Sequence, residues 1–212
     1  MSLTTKSADV LILECDWGED LIDAKSTKPL VEGWAAGEGI TTVYRSYHDG
    51  RDLVHWLRQA FQSRRRPRAV YVAGHGCGRF LHAPFRPSDI DFRRVLATAA
   101  RRTPISHGCR GILLGACEIG RDLEGLLKAA DGRLDWVAGY NREVPWVEST
   151  ISDLLFLQYA VVGRRKLAFG GKSRGCTGLK SVRTCSAEKA ARWLLQDFPL
   201  ANELGFCAMD RR

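Results

Sequence analysis

Short apolar runs alternating with amphipathic helical stretches constrain this chain more than any other feature of it. The runs fall at residues 9–15 (DVLILEC), 40–45 (ITTVYR), 69–73 (AVYVA), 111–116 (GILLGA) and 134–139 (LDWVAG). Most are near-continuously apolar, as strands buried on both faces of a parallel sheet are. A sixth run at 204–209 (LGFCAM) is expected to close the sheet at one edge.

The intervening segments carry helical spacing. Residues 52–61 put Leu53, Val54, Trp56, Leu57, Ala60 and Phe61 on one face. Residues 88–100 open with Ser88 and Asp91 in capping-box spacing and turn Val95, Leu96 and Ala99 inward. Further helices are predicted over 123–130, 149–162 and 186–198, the last capped by Ser186 and stopped before Pro199. A short one begins near Pro29, because proline suits a first turn. Strand–helix alternation with right-handed crossovers predicts an α/β fold, a three-layer α/β/α sandwich on a mainly parallel sheet. Residues 1–212 read as one domain, since no repeat or Pro/Gly/Ser-rich linker divides them.

Composition narrows the classes. No apolar run reaches the roughly 18 residues of a membrane-spanning helix. The N-terminus lacks a basic region ahead of its short apolar run, so no signal peptide is read there and a cytoplasmic protein is expected. Seven cysteines without a C-x-x-C pair point to reduced thiols, and argue against a zinc ribbon or a thioredoxin-type site. His75, Cys77, Cys109 and Cys117 match no zinc-finger or deaminase spacing. Gly170-Gly171-Lys172-Ser173 resembles the end of a phosphate loop, but Lys166 stands where the loop needs glycine. No cofactor or metal is expected.

Ligands of such sheets bind beyond the carboxyl ends of the strands. Gly74-His75-Gly76-Cys77-Gly78 follows the third run, and Gly115-Ala116-Cys117-Glu118-Ile119-Gly120 ends the fourth. A histidine and a cysteine thus leave successive strands at one edge. A thiolate is the nucleophile that a nearby imidazole activates, and flanking glycines let backbone N–H groups approach a substrate carbonyl. His48, His55, His75, His82 and His107 all precede Cys117. That order excludes a papain-like site and a hydrolase elbow with Cys117 as nucleophile. His107 precedes a strand instead of following one and reads as a loop residue.

The two words Ala73-Gly74-His75-Gly76 and Gly115-Ala116-Cys117-Glu118-Ile119-Gly120 resemble those of the caspase-like cysteine peptidases, most closely their bacterial CHAT branch. The resemblance implies a Cys-His dyad, with His75 the general base and then acid and Cys117 the nucleophile. It implies an oxyanion hole from the backbone N–H groups of Gly76 and Cys117, and peptide hydrolysis through a thioacyl-enzyme. It also implies a regulated protease, as in bacterial defence or stress responses. The long cleavable linker of many caspases has no room between Arg121 and Leu134. A separate activator or sensor protein is therefore expected.

The fold implied by the resemblance lines its specificity pocket with residues after the first, fourth and fifth strands. Asp16 there either binds an arginine or lysine before the scissile bond or caps a turn. Glu118 adds negative charge or points away, and Arg142 would favour an acidic side chain. Tyr140 and Trp146 are candidate walls of a groove for an extended peptide, Trp146 alternatively a core plug.

The net charge of +8 gathers at 64–68, 101–102 and 164–183. The last stretch reads as a solvated loop, with an activation cleavage site second. Nucleic acid is not the expected partner, because aromatic interleaving for base stacking is missing beyond Phe169. The expected partner is a protein or peptide substrate. The rival reading is a catalytically silent caspase-like module that binds a partner through the same groove.

Overall fold

The computed structural model describes residues 8–18, 25–63, 66–83, 89–101, 103–104, 109–169, 176–184 and 186–212, and of 166–169 and 176–181 the backbone alone. In chain order the elements begin with β1 (Val10–Glu14), α1 (Lys28–Glu38), β2 (Thr42–Ser46), α2 (Gly50–Gln62) and β3 (Ala69–Ala73). A small antiparallel unit follows, β4 (His75–Cys77), β5 (Phe80–His82) and β6 (Ile90–Asp91), and then α3 (Phe92–Ala100). Next come β7 (Gly111–Gly115), a 3-10 turn at Ile119–Asp122, α4 (Leu123–Ala129), β8 (Trp136–Tyr140) and α5 (Trp146–Leu157), which runs on as π-helix over Gln158–Val162. The ribbon β9 (Arg164–Phe169) and β10 (Cys176–Val182) precedes α6 (Ala187–Asp197), α7 (Leu200–Glu203) and β11 (Phe206–Asp210).

Six strands form the central sheet in the order β2-β1-β3-β7-β8-β11. All neighbouring pairs are parallel except β11 on β8, which closes one edge antiparallel. The predicted three-layer α/β sandwich is what forms. Side chains alternate across each strand, so one face collects Leu11, Leu13, Val70, Val72, Ile112 and Leu114 against α2, α3 and α4. The other collects Val10, Ile12, Tyr71 and Leu113 against α1, α5 and α6. Both faces are covered, which is why the strands read as continuous apolar runs.

Local chemistry sets most boundaries. Asp49 caps α2 by accepting from the Arg51 and Asp52 amides, and Ser186 caps α6 by accepting from Lys189 N. Helix α3 starts at Phe92, with the Asp91 side chain bonded to Arg94 N. The expected start at Ser88 does not hold, since Ile90–Asp91 is strand β6; Ser88 itself lies outside the described residues, as do His107 and the 170–173 motif. The basic stretch 164–183, expected to be a loop, contains the antiparallel pair β9–β10. Its glycines hid the strand signal, and the strands satisfy each other's backbone instead of joining the main sheet. Among the described residues, no helix is long and apolar enough to cross a membrane.

The chain goes from β1 outward to β2 and then returns past β1 to β3. The direction of winding therefore reverses between β1 and β3, and their carboxyl ends open the crevice where sheets of this kind bind ligands.

Candidate active site

Register brings the site together. Glu14 on β1 lies opposite Ala73 on β3, and Ala73 lies opposite Gly115 on β7. The ladder continues one step beyond the strands, with Cys15 N donating to Ala73 O at 3.1 Å and Gly74 N to Gly115 O at 3.4 Å. Asp16 and Trp17, His75 and Gly76, and Ala116 and Cys117 therefore emerge side by side from three adjacent strands. His75 is exposed and Cys117 half-buried.

The backbones of the two motifs touch. A Cβ on Gly76 would lie 2.6 Å from the carbonyl oxygen of Cys117 and 3.1 Å from the Ala116 Cβ. Any side chain at 76 would push the strands' extensions apart, so glycine there is a packing requirement. Gly115 answers a second one. A Cβ on it would lie 2.7 Å from an Asp153 carboxylate oxygen and from the Tyr71 ring.

His75 Nε2 lies 2.6 Å from the carbonyl oxygen of Trp17. A carbonyl only accepts, so Nε2 carries the proton and the neutral ring keeps its basic lone pair on Nδ1. The Trp17 ring packs edge-on against the imidazole at 5.3 Å and against Trp146 at 6.3 Å. Trp17 is in turn held by its indole N–H, which donates to Glu14 Oε1 at 2.9 Å. That carboxylate, 3% exposed, also accepts from Ser26 Oγ, Thr27 N and Thr27 Oγ1. The buried acid at the end of β1 thus anchors the loop that orients His75, and joins it to the start of α1.

Cys117 Sγ sits against residue 144. The Val144 amide donates to the sulfur at 3.5 Å, and the thiol faces the Val144 carbonyl at 3.8 Å. Among the described residues, no hydrogen bond joins the imidazole to the thiol. Cys15, Cys77, Cys109 and Cys207 are all pushed toward the protonated thiol. Burial, with Asp16 next, pushes Cys15 up to about 12. Burial alone raises Cys207 to about 11, and it raises the fully buried Cys109 as well. Cys77 is raised by its hydrogen bond to Glu118.

Glu118 adopts a left-handed backbone, φ +62°. Its Oε2 accepts from Gly78 N at 3.1 Å, and its Oε1 pairs with Arg121 at 2.5 Å. So engaged, it is not a free acid for substrate. Arg142 also turns away, donating from Nη1 to Glu203 O at 3.0 Å.

Of the expected groove residues, Asp16 is exposed beside Trp17 and Trp146 is half-buried against it. Tyr140 does not wall a groove. It is fully buried, and its hydroxyl lies 2.8 Å from both Asp153 Oδ1 and Ser149 O, its one proton shared between the two. As the last residue of β8 it points into the sheet–helix layer, where polar hydroxyl and carboxylate satisfy each other. Trp17 and Glu14 are the residues that sequence reasoning passed over. The signal for Trp17 was its place directly after β1, at the winding reversal; for Glu14 there was only a single acid ending an apolar strand. Among the described residues, no group of three or more His, Cys, Asp or Glu could hold a metal.

No protein-family model matches the chain, and no curated protein matches it. Among solved structures, it is similar to an inactive zymogen C11 protease from Parabacteroides distasonis. Identity is 12%, over 65% of this chain and 50% of that one, at a TM-score of 0.42. It is also similar to iotapain, a secreted C11 cysteine protease from Bacteroides thetaiotaomicron. There identity is 12%, over 64% and 52%, at a TM-score of 0.40. The chain spans about half the length of each. At that overlap no residue role passes from them to this chain.

Proposed function

We propose that the chain is a cysteine endopeptidase acting through His75 and Cys117. The observation that carries this reading is the register of β3 on β7, which sends His75 and Cys117 out of one sheet edge with their backbones in contact at Gly76. The resemblance of both motifs to the caspase-like peptidases, CHAT branch included, supports it independently.

In this reading the Cys117 thiol gives its proton to His75 Nδ1, the ring atom left basic by the Trp17 carbonyl. The thiolate attacks the scissile carbonyl, and the backbone N–H groups of Gly76 and Cys117 take up the oxyanion. The imidazolium then protonates the leaving amine as the C–N bond breaks. A water molecule deprotonated by His75 hydrolyses the thioacyl-enzyme and returns the thiol. The Val144 amide, already donating to Sγ, stabilises the thiolate between turnovers.

Asp16 faces solvent at the same edge and would attract an arginine or lysine before the cut. Trp17 and Trp146 would flank the peptide. Activity in the cytoplasm, under the control of a separate activator protein, completes the proposal.

Hydrolysis of a fluorogenic peptide library varied before the cut, by wild type, Cys117→Ala and Asp16→Asn, tests it. Cleavage lost in Cys117→Ala establishes the peptidase, and an Arg/Lys preference weakened in Asp16→Asn establishes the pocket. Cleavage that survives Cys117→Ala refutes the dyad.

A further inference from the structure

Three loops of the active edge converge on Glu118. Its backbone N–H donates to Arg142 O at 3.1 Å, in the loop after β8. Its Oε2 reaches the hairpin that starts with His75, accepting from Gly78 N at 3.1 Å. Its Oε1 holds Arg121, whose Nε donates to Asn141 O at 2.9 Å. The Glu118 side chain is only 14% exposed, so its bond to Gly78 is partly shielded from water, while Arg121 at 57% stays open to solvent. The left-handed backbone at 118 is an uncommon state for a side chain with a Cβ, retained where surrounding contacts demand it.

We propose that Glu118 is a positioning residue of the His75–Cys117 dyad, its carboxylate bolting the hairpin that bears the base to the turn that bears the nucleophile. The inference rests on the peptidase reading. His75 needs such a bolt: it is exposed and sits on a three-residue strand that, among the described residues, pairs with β5 alone. Packing at Gly76 and the Trp17 carbonyl fix the near end of that hairpin, and Glu118 fixes its tip. The bond to Gly78 is the one that holds the hairpin, and a neutral acceptor can supply it; the charge adds a lesser tie to Arg121 and through it to the loop after β8.

The same carboxylate has a second effect. The Cys77 thiol is exposed, and its hydrogen bond to the Glu118 carboxylate, with the carboxylate's charge next, raises its pKa.

Site-resolved alkylation separates this inference from the reading beneath it, because it needs no peptide substrate. The full chain is treated with iodoacetamide across a range of pH, and each cysteine is followed by peptide mass spectrometry. In wild type, Cys117 is expected to react fast, and slowly in His75→Ala. Glu118→Ala is expected to slow Cys117 by about tenfold or more and to raise the pH midpoint of its reaction, since a displaced imidazole no longer supports the thiolate. The same variant accelerates Cys77. Glu118→Gln, which keeps an acceptor for Gly78, restores Cys117 to within about threefold of wild type while Cys77 stays fast. If the alanine variant does not fold, Glu118→Asp serves: it keeps the charge, withdraws the carboxylate by one methylene and slows Cys117.

A Cys117 reaction that depends on His75 but is unchanged in rate and midpoint by Glu118→Ala or Glu118→Asp overturns the positioning role alone. A Cys117 reaction indifferent to His75 overturns the dyad and this inference with it.

Discussion

Asp153 on α5 is 1% exposed, with Oδ2 accepting from Tyr71 and Oδ1 from Tyr140, each at 2.8 Å. Burial raises its pKa to about 7, with the two hydroxyl hydrogen bonds opposing the rise. The folded protein therefore keeps a proton that the unfolded chain has already released. A raised folded pKa contributes stability that is fully present below the unfolded value and is lost as pH climbs through about 7. Between about pH 5.5 and about pH 8.5 the folded state gives up roughly 1.5 units of that preference, or about 2 kcal/mol at ~1.4 kcal/mol per unit. For a chain of this size that is a fall in Tm of about 4–8 °C. Asp153→Asn cannot ionise, so it is expected to lose this slope and to gain on wild type as pH rises. Thermal unfolding of both proteins at several pH values reads it directly. Every other ionisable group is common to both proteins and cancels in the difference. Parallel Tm profiles for wild type and variant, or a wild type that gains on the variant with rising pH, would refute the reasoning.

Two other substitutions probe how the edge is built. Gly76→Ala places a methyl 2.6 Å from the Cys117 carbonyl, so it should cost about 1–3 kcal/mol in a denaturant titration and abolish Cys117 alkylation at the wild-type rate. Glu14→Ala strands four donors, two of them fully buried, and should cost about 3 kcal/mol while changing Trp17 fluorescence and slowing Cys117. A stable Glu14→Ala protein with wild-type Cys117 reactivity would show that the Trp17 loop holds its shape without the acid.

The layers of the fold were legible because each strand is covered on both faces and each helix on one. Runs such as Val10–Glu14 and Ala69–Ala73 then record burial residue by residue. The shared placement of His75 and Cys117 was legible for a related reason, since a residue just past a parallel strand lies at the carboxyl edge of the sheet whatever the strand order. Tyr140 was misread because it too ends a strand. Its side chain alternates inward, and a hydroxyl that finds a buried carboxylate thirteen positions along the chain leaves no local mark.

Sequence by itself determined the alternation of strands and helices, the single edge from which His75 and Cys117 emerge, and their order along the chain. These follow from periodicity, from chirality and from local turn chemistry, all of which act within one element or between neighbours. Tertiary structure alone decided that the Trp17 carbonyl orients the imidazole, that Glu14 and Asp153 are interior acids, and that Glu118 ties three loops together. Those outcomes depend on which elements pack side by side, where burial forces polar groups from distant parts of the chain to satisfy one another.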